Sequence, residues 1–203
     1  MSFADIAALT IHDVKNRLAH LAGRAEARGD SDTLRSALEA SEALTHLLVF
    51  YKSETGILNL AVDGYSPADL VADLALESRE HQTIRIDVDC SEAPTLGFYD
   101  EVLVRMVLSN ALHNALRFAR ERVLISVAGA GEVLEFSVRD DGAGYPESVL
   151  ADQGSSASIT RDGTGLGLRL AKRIARMHEN GGRHGDTRLF NLNGAVFQLT
   201  LPK

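Results

Sequence analysis

The spacing of apolar residues changes part-way along the chain, and this change limits the possible folds more than any other feature. In the first part, apolar residues recur every three or four positions, as on one face of a helix, and the stretch RGDSD at residues 28–32 interrupts them. The pattern predicts helices over residues 3–28 and 33–53, with Ser31 or Asp32 as the N-cap of the second. Two helices joined by such a short turn form an antiparallel hairpin.

A two-helix hairpin cannot bury its apolar stripe by itself. It must pack against the following domain or against a second copy of itself. Because two paired hairpins form a four-helix bundle, we expect a homodimer.

Beyond a boundary at residues 54–64, helical and strand patterns alternate. Several strands are joined as hairpins, including one around the turn Asn193-Gly194, which predicts a mixed sheet with helices on one face. The expected fold class is therefore α+β: a helical hairpin at residues 1–56, then a two-layer α/β sandwich at residues 65–203. The predicted elements of the second part are a helix at 68–80, a strand at 83–89, a helix at 100–119, two strands around a glycine turn at 122–142, a helix at 165–180 and two closing strands at 187–203.

Composition excludes some classes of function. The net charge of -7 argues against a nucleic-acid partner. Cys90 is the single cysteine, so a disulfide within the chain and a cysteine-based zinc site are excluded, and a reducing, cytoplasmic setting is expected. No apolar run approaches the roughly 20 residues of a membrane span, and no signal peptide is visible. We therefore expect any upstream sensor to be a separate protein or segment.

Two glycine-rich stretches have chemistry that suits a nucleotide. VRDDGAGYP, at residues 138–146, ends a predicted strand and contains Asp140, Gly142 and Gly144. A carboxylate at a strand end can accept a hydrogen bond from an exocyclic amine such as that of adenine, and the glycines let a base approach the backbone. Taken alone, the stretch could also be an ordinary turn.

The second stretch, GTGLGL, opens a predicted helix, where free backbone N–H groups favour a phosphate. Its candidate ligand-binding residues are Gly163, Thr164, Gly165, Leu166 and Gly167. It is not a Walker loop, because no Gly-Lys-Ser/Thr follows, and it does not fit a dinucleotide fingerprint.

The helix at 100–119 places Asn110, Asn114 and Arg117 on one face, at positions i, i+4 and i+7. An amide oxygen suits Mg²⁺, which takes oxygen ligands beside substrate phosphates, and Arg117 could meet a phosphate. An isolated pair of asparagines at this spacing would be read as a polar helix stripe.

Together, NALHNALRFA, DDGAGYP, GTGLGLRLAKRIARMH and GAVFQLTLP resemble the N, G1 and G2 boxes and closing strands of histidine-kinase ATP-binding domains. The resemblance covers roughly residues 65–203. It implies ATP and Mg²⁺ as cofactors, Asn114 as the metal ligand, Asp140 as the adenine-reading carboxylate and Gly163, Gly165 and Gly167 as the triphosphate loop. It also implies a mobile lid at residues 145–162. ATP-hydrolysing relatives have a glutamate where this chain has Asn110, which implies transfer of phosphate rather than hydrolysis.

The resemblance to an ATP-binding domain changes the interpretation of the stretch TIHDVKNRLAHL, at residues 10–21. On a helical wheel the apolar residues of the first helix share an arc of roughly 140°, and His12 lies about 160° from its centre, with Asn16 about 40° from His12. By itself an outward histidine is usually an idle surface residue. However, HDVKN also resembles the H-box of histidine-kinase dimerisation domains.

This second resemblance implies that His12 attacks the γ-phosphoryl group of ATP and that the group then passes to an aspartate of a response regulator. Asp13 would hydrogen-bond the other ring nitrogen, and Asn16 would orient a water for phosphatase activity. The open alternatives are a histidine phosphotransferase or phosphatase relay, a non-catalytic dimeric adaptor that senses nucleotide, and a serine kinase of the anti-sigma type.

Overall fold

The computed structural model describes residues 3–79, 84–153 and 166–203, without the side chains of residues 3–9 and Arg79. The chain divides into two compact units, Met1–Leu58 and Asn59–Lys203. Within the described residues, no helix has both the length and the apolar character that a membrane crossing requires.

The first unit is a helical hairpin of α1 (Phe3–Glu26) and α2 (Ser31–Glu54). Gly29 turns the chain at φ +67°, a conformation that glycine adopts without strain. The predicted cap of α2 is wrong by one or two residues. Asp30 is the N-cap, because its carboxylate accepts hydrogen bonds from the backbone N–H and the hydroxyl of Thr33, at 3.1 and 2.7 Å.

Among the described residues of the hairpin, the apolar side chains that are buried are all alanines. Its buried described residues are Ala22, Ala25, Ala37, His46 and Ser53. Larger apolar side chains remain exposed, namely Val14, Leu21, Leu38 and Leu47. This packing agrees with the expectation that the hairpin cannot bury its apolar stripe by itself.

The second unit is a two-layer α/β sandwich. Its elements are β1 (Asp63–Tyr65), α3 (Pro67–Arg79), β2 (Arg85–Asp89), β3 (Gly97–Tyr99), α4 (Glu101–Phe118), β4 (Arg122–Ala130), β5 (Val133–Asp140), α5 (Glu147–Asp152), α6 (Leu166–Met177), β6 (Glu179–Asn180), β7 (Arg183–His184), β8 (Asp186–Asn191) and β9 (Ala195–Pro202). The five-stranded sheet has the order β2-β4-β5-β9-β8, with β2 parallel to β4 and the other pairs antiparallel. The predicted α+β fold with a mixed sheet is confirmed.

The core lies between one face of this sheet and the helices α3, α4 and α6. In β5, buried and half-buried residues alternate without interruption, so Leu134, Phe136 and Val138 all face the helices. From the helix side, α4 contributes Val104, Leu108 and Leu112, each at most 2% exposed. The sheet thereby fixes the end of β5, where Asp140 lies, relative to α4.

Several short elements have no counterpart among the predicted ones. Strands β1 and β3 form a separate antiparallel pair, β6 and β7 form another, and α5 lies inside the stretch predicted as a lid. Elements of two to six residues are too short to show a hydrophobic period. Residues 154–162, the remainder of the predicted lid, lie outside the described residues.

Candidate functional site

His12 lies on the exposed side of α1, as the helical wheel predicts, with its side chain 72% exposed. Its Nδ1 atom is 3.3 Å from the side-chain amide of Asn16, one turn further along. The carboxylate of Asp13 is 4.0 Å from the same nitrogen, which is beyond hydrogen-bond distance. The expected hydrogen bond from the ring to the Asp13 carboxylate is therefore not formed, and the side chain in contact with Nδ1 is that of Asn16.

The candidate ligands on α4 differ in their surroundings. Asn114 is exposed, and no hydrogen bond among the described residues engages its amide. Asn110 is half-buried, while Arg117 lies with its guanidinium carbon 5.4 Å from the centre of the Phe118 ring. Within the described part of the chain, Asn114 thus has an amide oxygen available to a ligand, whereas Asn110 is held by packing.

Asp140, at the end of β5, is 5% exposed. Its Oδ1 atom accepts hydrogen bonds from the backbone N–H groups of Gly142, at 2.8 Å, and Ala195, at 3.1 Å. Among the described residues, Oδ2 of Asp140 has no hydrogen-bond partner. One carboxylate oxygen is therefore fixed to the backbone, while the other can accept a hydrogen bond from a ligand.

The neighbouring Asp141 has a structural role. Its carboxylate accepts hydrogen bonds from the backbone N–H groups of Arg120, Glu121 and Arg122, at 2.7 to 3.2 Å. Desolvation raises the pKa of Asp141, but these hydrogen bonds outweigh it, so the pKa lies below its ordinary value. Asp141 thereby ties the glycine loop to the segment that connects α4 with β4.

Close approaches explain the glycines of the first loop. A side chain at Gly142 would place its Cβ atom 2.3 Å from the carbonyl oxygen of Phe118. Gly144 has φ +84°, and a Cβ atom there would lie 2.8 Å from the side chain of Asn191. The loop after β5 is consequently held between the end of α4 and the end of β8.

Helix α6 begins at the second glycine stretch. A Cβ atom on Gly167 would lie 2.4 Å from the amide nitrogen of Asn110, so this glycine allows the first turn of α6 to pack against α4. Gly163, Thr164 and Gly165 lie outside the described residues, while Leu166 is half-buried at the start of the helix. The side of α6 opposite its buried apolar face is basic, with Arg169, Lys172, Arg173 and Arg176.

Residues 99–203 match the family model described as histidine kinase-, DNA gyrase B- and HSP90-like ATPase, and this segment contains both glycine stretches and α4. The chain belongs to this ATPase family. The resemblance of its motifs to a histidine-kinase catalytic core is confirmed.

Sensor histidine kinases are among the curated relatives of this chain. The signal transduction histidine-protein kinase AfsQ2 of Streptomyces coelicolor is 30% identical over 80% of this chain and 30% of that protein. The sensor protein KdpD of Escherichia coli is 28% identical over 98% of this chain and 24% of that protein. The chain therefore spans at most about a third of the length of these relatives.

Solved structures of histidine kinases share the fold. Full-length ShkA in complex with AMPPNP superimposes with a TM-score of 0.77 at 22% identity, covering 99% of this chain and 46% of that one. The histidine kinase AdeS of Acinetobacter baumannii gives a TM-score of 0.64 at 18% identity, covering 95% of this chain and 96% of that one. These likenesses extend over both units of this ATPase-family chain and concern the fold.

The closing strands contribute residues that sequence reasoning missed. Besides donating the Ala195 N–H to Asp140, the turn brings Gly194 so close that a Cβ atom would lie 1.9 Å from the carbonyl oxygen of Asp140. The Asn193-Gly194 pair indicated a hairpin turn, but nothing in its spacing pointed to Asp140, 54 residues earlier. Asn191, which binds the loop through its side chain, had no sequence signal at all.

A second buried network joins the ends of α4 and α6. The Nε2 atom of His178 accepts a hydrogen bond from the backbone N–H of Asp100 at 3.0 Å, and its Nδ1 lies 2.9 Å from the carbonyl oxygen of Ile174. The carboxylate of Asp100 accepts hydrogen bonds from the backbone N–H groups of Leu103, at 3.0 Å, and Ala61, at 2.8 Å. This network sets the position of α4, and hence of its asparagines, relative to α6.

Proposed function

We propose that this chain is the catalytic core of a histidine kinase in a two-component phosphorelay. In this proposal His12 receives the γ-phosphoryl group of ATP, and the group then passes to an aspartate of a response regulator. The observation that carries the proposal is an exposed His12 in contact with Asn16 on a helical hairpin. The same chain contains the ATP-binding family domain that could supply the phosphoryl group.

The chemistry at His12 requires an unprotonated ring nitrogen that faces solvent. An asparagine amide can present its oxygen or its nitrogen to Nδ1 of the ring, since the two are assigned from the hydrogen-bond network. When Asn16 presents its oxygen, Nδ1 keeps the proton and Nε2 is free to attack phosphorus. The Asp13 carboxylate, 4.0 Å from Nδ1, favours the same tautomer of the neutral ring, with its hydrogen on Nδ1.

ATP would be held by the second unit of the chain. Oδ2 of Asp140, which has no hydrogen-bond partner among the described residues, suits the adenine amine, and the N-terminal end of α6, with the glycine stretch that precedes it in the sequence, suits the phosphates. Bound Mg²⁺ would neutralise phosphate charge and polarise the γ-phosphoryl group. Asn114 fits as a ligand because its amide oxygen, on an exposed helix face, has no hydrogen-bond partner among the residues that the structure describes. Among the described residues, no cluster of His, Cys, Asp or Glu offers an alternative metal site.

The residue at position 110 favours transfer over hydrolysis. An amide cannot take a proton from water as a carboxylate can. Asn110 is also packed against Gly167, which limits its freedom to reach a water. We therefore expect slow ATP turnover in the absence of a phosphoryl acceptor.

The surface of the hairpin supports the proposal that the chain forms a homodimer. Val14, Leu21, Leu38 and Leu47 are 38% to 56% exposed in a single chain. A second hairpin would cover this apolar surface in a four-helix bundle. We expect light scattering to give twice the chain mass, and Leu38→Glu to give the monomer mass; a wild-type monomer at micromolar concentration would contradict the dimer.

Incubation with γ-labelled ATP and Mg²⁺ tests the kinase proposal. We expect a label that is stable in base, labile in acid and absent from His12→Ala. His20→Ala is the matched control, because His20 is also an exposed histidine of α1. Label that persists in His12→Ala would refute the assignment of the phosphorylated residue.

Asp140→Asn should abolish ATP binding without unfolding the chain, whereas Asp186→Asn, an exposed aspartate of β8, should not. Binding of ATP without labelling would favour the nucleotide-sensing adaptor, and labelling only from a phosphorylated partner would favour a phosphotransferase relay.

The contact between His12 and Asn16 also supports phosphatase activity towards the response regulator, because the amide can orient a water near the ring. Asn16→Ala should slow the loss of phosphate from a receiver domain by a larger factor than it slows autophosphorylation, because Asp13 still favours the reactive tautomer of His12. Equal loss of both activities would remove the water-orienting role.

A further inference from the structure

Strand β8 lies at one end of the five-stranded sheet, next to β9. The backbone N–H and C=O groups on the outer side of such an edge strand can pair with another chain. In an antiparallel pair these outward groups belong to every second residue. In β8 they belong to Thr187, Leu189 and Asn191, because the side chain of Gln153 binds both backbone groups of Leu189.

The edge of β8 is already covered on both sides of Thr187. The amide of Gln153 donates to the carbonyl of Leu189 and accepts from its N–H, both at 2.8 Å. One side-chain amide thereby takes the place that a peptide group of a neighbouring strand would have. Just before β8, the N–H of Gly185 donates to the carbonyl of His178 at 2.9 Å. Thr187 therefore occupies a gap between two covered positions.

The backbone groups of Thr187 are available in this gap. Among the described residues, neither its N–H nor its C=O has a hydrogen-bond partner. Thr187 lines a groove of about 610 Å³. The other lining residues are Gln153, Lys172, Asp186, Arg188, Leu189, Phe190 and Gln198. The groove thus has room for a short extended segment whose peptide group completes the hydrogen bonding at Thr187.

This groove is basic although the chain as a whole is acidic. Residues 166–191, which include α6 and β8, contain six arginine and lysine residues and two acidic ones, whereas the whole chain contains 21 and 28. Lys172 and Arg188 line the groove itself. Lys172 belongs to α6, which packs on the helix side of the sheet, while Arg188 points to the opposite face because side chains alternate along a strand. A segment beside β8 would therefore meet a positive charge on each face.

We propose that the edge of β8 binds an extended, acidic segment of a partner protein as a short additional strand. One residue of this segment pairs with the N–H and C=O of Thr187. Two consecutive acidic side chains of the segment point to opposite faces, where one contacts Lys172 and the other Arg188. Asp186 disfavours a further acidic residue on the face of Arg188. The inference goes beyond the proposed function and does not depend on it.

Titration of the full chain with the peptide acetyl-Thr-Val-Glu-Glu-Val-Thr-amide, followed by NMR of the backbone amides, tests this inference. The amide signal of Thr187 should shift, and its hydrogen exchange should slow, because the N–H gains an acceptor. The same peptide with lysines in place of the two glutamates should bind at least about 10-fold more weakly. No binding of the glutamate peptide, or equal binding of both, would overturn the proposal.

Two changes test the backbone pairing. Methylation of both glutamate nitrogens in the peptide removes its donors and leaves the protein unaltered, and it should weaken binding about 3- to 10-fold. Thr187→Pro removes the outward N–H, which an edge strand tolerates, and should weaken binding by a similar factor. Thr187→Val is the matched control, because it keeps the N–H and should bind the peptide like the wild type. Unchanged binding of the methylated peptide would show that only charge is recognised and would overturn the additional strand.

Reversal of one charge tests the position of the segment. Arg188→Glu should weaken binding of the glutamate peptide at least about 10-fold. Arg176→Glu is the matched control, since Arg176 is an exposed residue of α6 that does not line the groove, and it should weaken binding less than about 3-fold. Equal losses in the two variants would show attraction by overall charge and would overturn the site at β8.

The free protein separates a partner segment from a second copy of the chain. Without peptide, hydrogen exchange at Thr187 should not depend on protein concentration. Protection of this amide that increases with protein concentration would assign the edge to a second copy and would overturn the partner segment.

Discussion

Replacement of His178 is the perturbation that most directly tests how α4 and α6 are joined. His178 is 3% exposed and uses both ring nitrogens, one towards Asp100 and one towards Ile174. Since Nε2 accepts from a backbone N–H, the proton of the neutral ring must be on Nδ1, where it is donated to the carbonyl of Ile174. The ring is therefore held in one tautomer by two backbone groups.

The expected loss of stability follows from these contacts. His178→Leu fills most of the space but leaves the buried N–H of Asp100 without an acceptor, which costs about 1–3 kcal/mol. His178→Ala also leaves a cavity, so the total loss should be about 3–4 kcal/mol. His178→Gln restores an acceptor and a donor and should lose less than either. His184→Ala is the control, because that histidine is exposed and should change stability by less than about 0.5 kcal/mol.

The same contact predicts a dependence on pH. Burial lowers the pKa of His178, and although the hydrogen bond to Ile174 and the charge of Asp100 act in the opposite direction, the pKa stays below its ordinary value of 6.5. Because the unfolded chain then binds the proton more readily, the stability that His178 contributes is complete above about pH 6.5 and falls as the pH decreases below it. The hydrogen bond from Arg85 lowers the pKa of Asp87 below 3.8, so the contribution of that carboxylate is lost only in more acidic solution.

Chemical denaturation at a series of pH values between 8 and 5 measures both effects. The free energy of unfolding of the wild type should fall more steeply below pH 6.5 than that of His178→Gln, so the two curves should approach each other. If the free energy of unfolding depended on pH equally in the wild type and in His178→Gln, and His178→Leu were as stable as the wild type at pH 8, the conclusion that His178 is neutral and hydrogen-bonded would be refuted.

Three further predictions use other contacts of the described residues. Tyr99→Phe should leave the free energy of unfolding unchanged or raise it by about 1 kcal/mol, because the buried Tyr99 hydroxyl has no partner among the described residues; a loss above 1 kcal/mol in denaturation would contradict this. Gly167→Ala should weaken ATP binding at least about 10-fold in calorimetry, because its Cβ atom would meet Asn110 at 2.4 Å. Gly23→Ala, in open space on α1, should instead stabilise the chain by about 0.5–1 kcal/mol in thermal unfolding. Asp141→Ala should cost about 1–3 kcal/mol in denaturation, since three backbone N–H groups lose their acceptor.

Long periodic segments could be read from the sequence. The predicted helix at 100–119 differs from α4 by one residue at each end, and the strands on either side of Gly131 follow from alternating residues. The outward direction of His12 also followed from the helical wheel, because a regular helix fixes the direction of every side chain. These features depend on local spacing alone.

Features that depend on distant contacts could not be read in this way. Asp30, rather than Ser31 or Asp32, caps α2 because the cap depends on where the helical dihedral angles begin, and three neighbouring side chains can all serve as acceptors. The partner of Asp140 on β9 is 55 residues away in the chain. The sequence correctly placed Asp140 at the end of a strand, but the backbone groups that orient its carboxylate come from the order of strands in the sheet.

Two aspartates, Asp100 and Asp141, hold the two ends of α4 and explain how this helix keeps Asn114 in one position. At the N-terminal end, Asp100 caps the helix through Leu103 and is itself held by His178 and by the N–H of Ala61. At the other end, Asp141 holds the segment that follows α4 through three backbone N–H groups. Because both ends are bonded to neighbouring elements, α4 cannot slide or rotate without breaking hydrogen bonds, and those at the Asp100 end are buried. Asn114 can therefore remain exposed and still keep a fixed position.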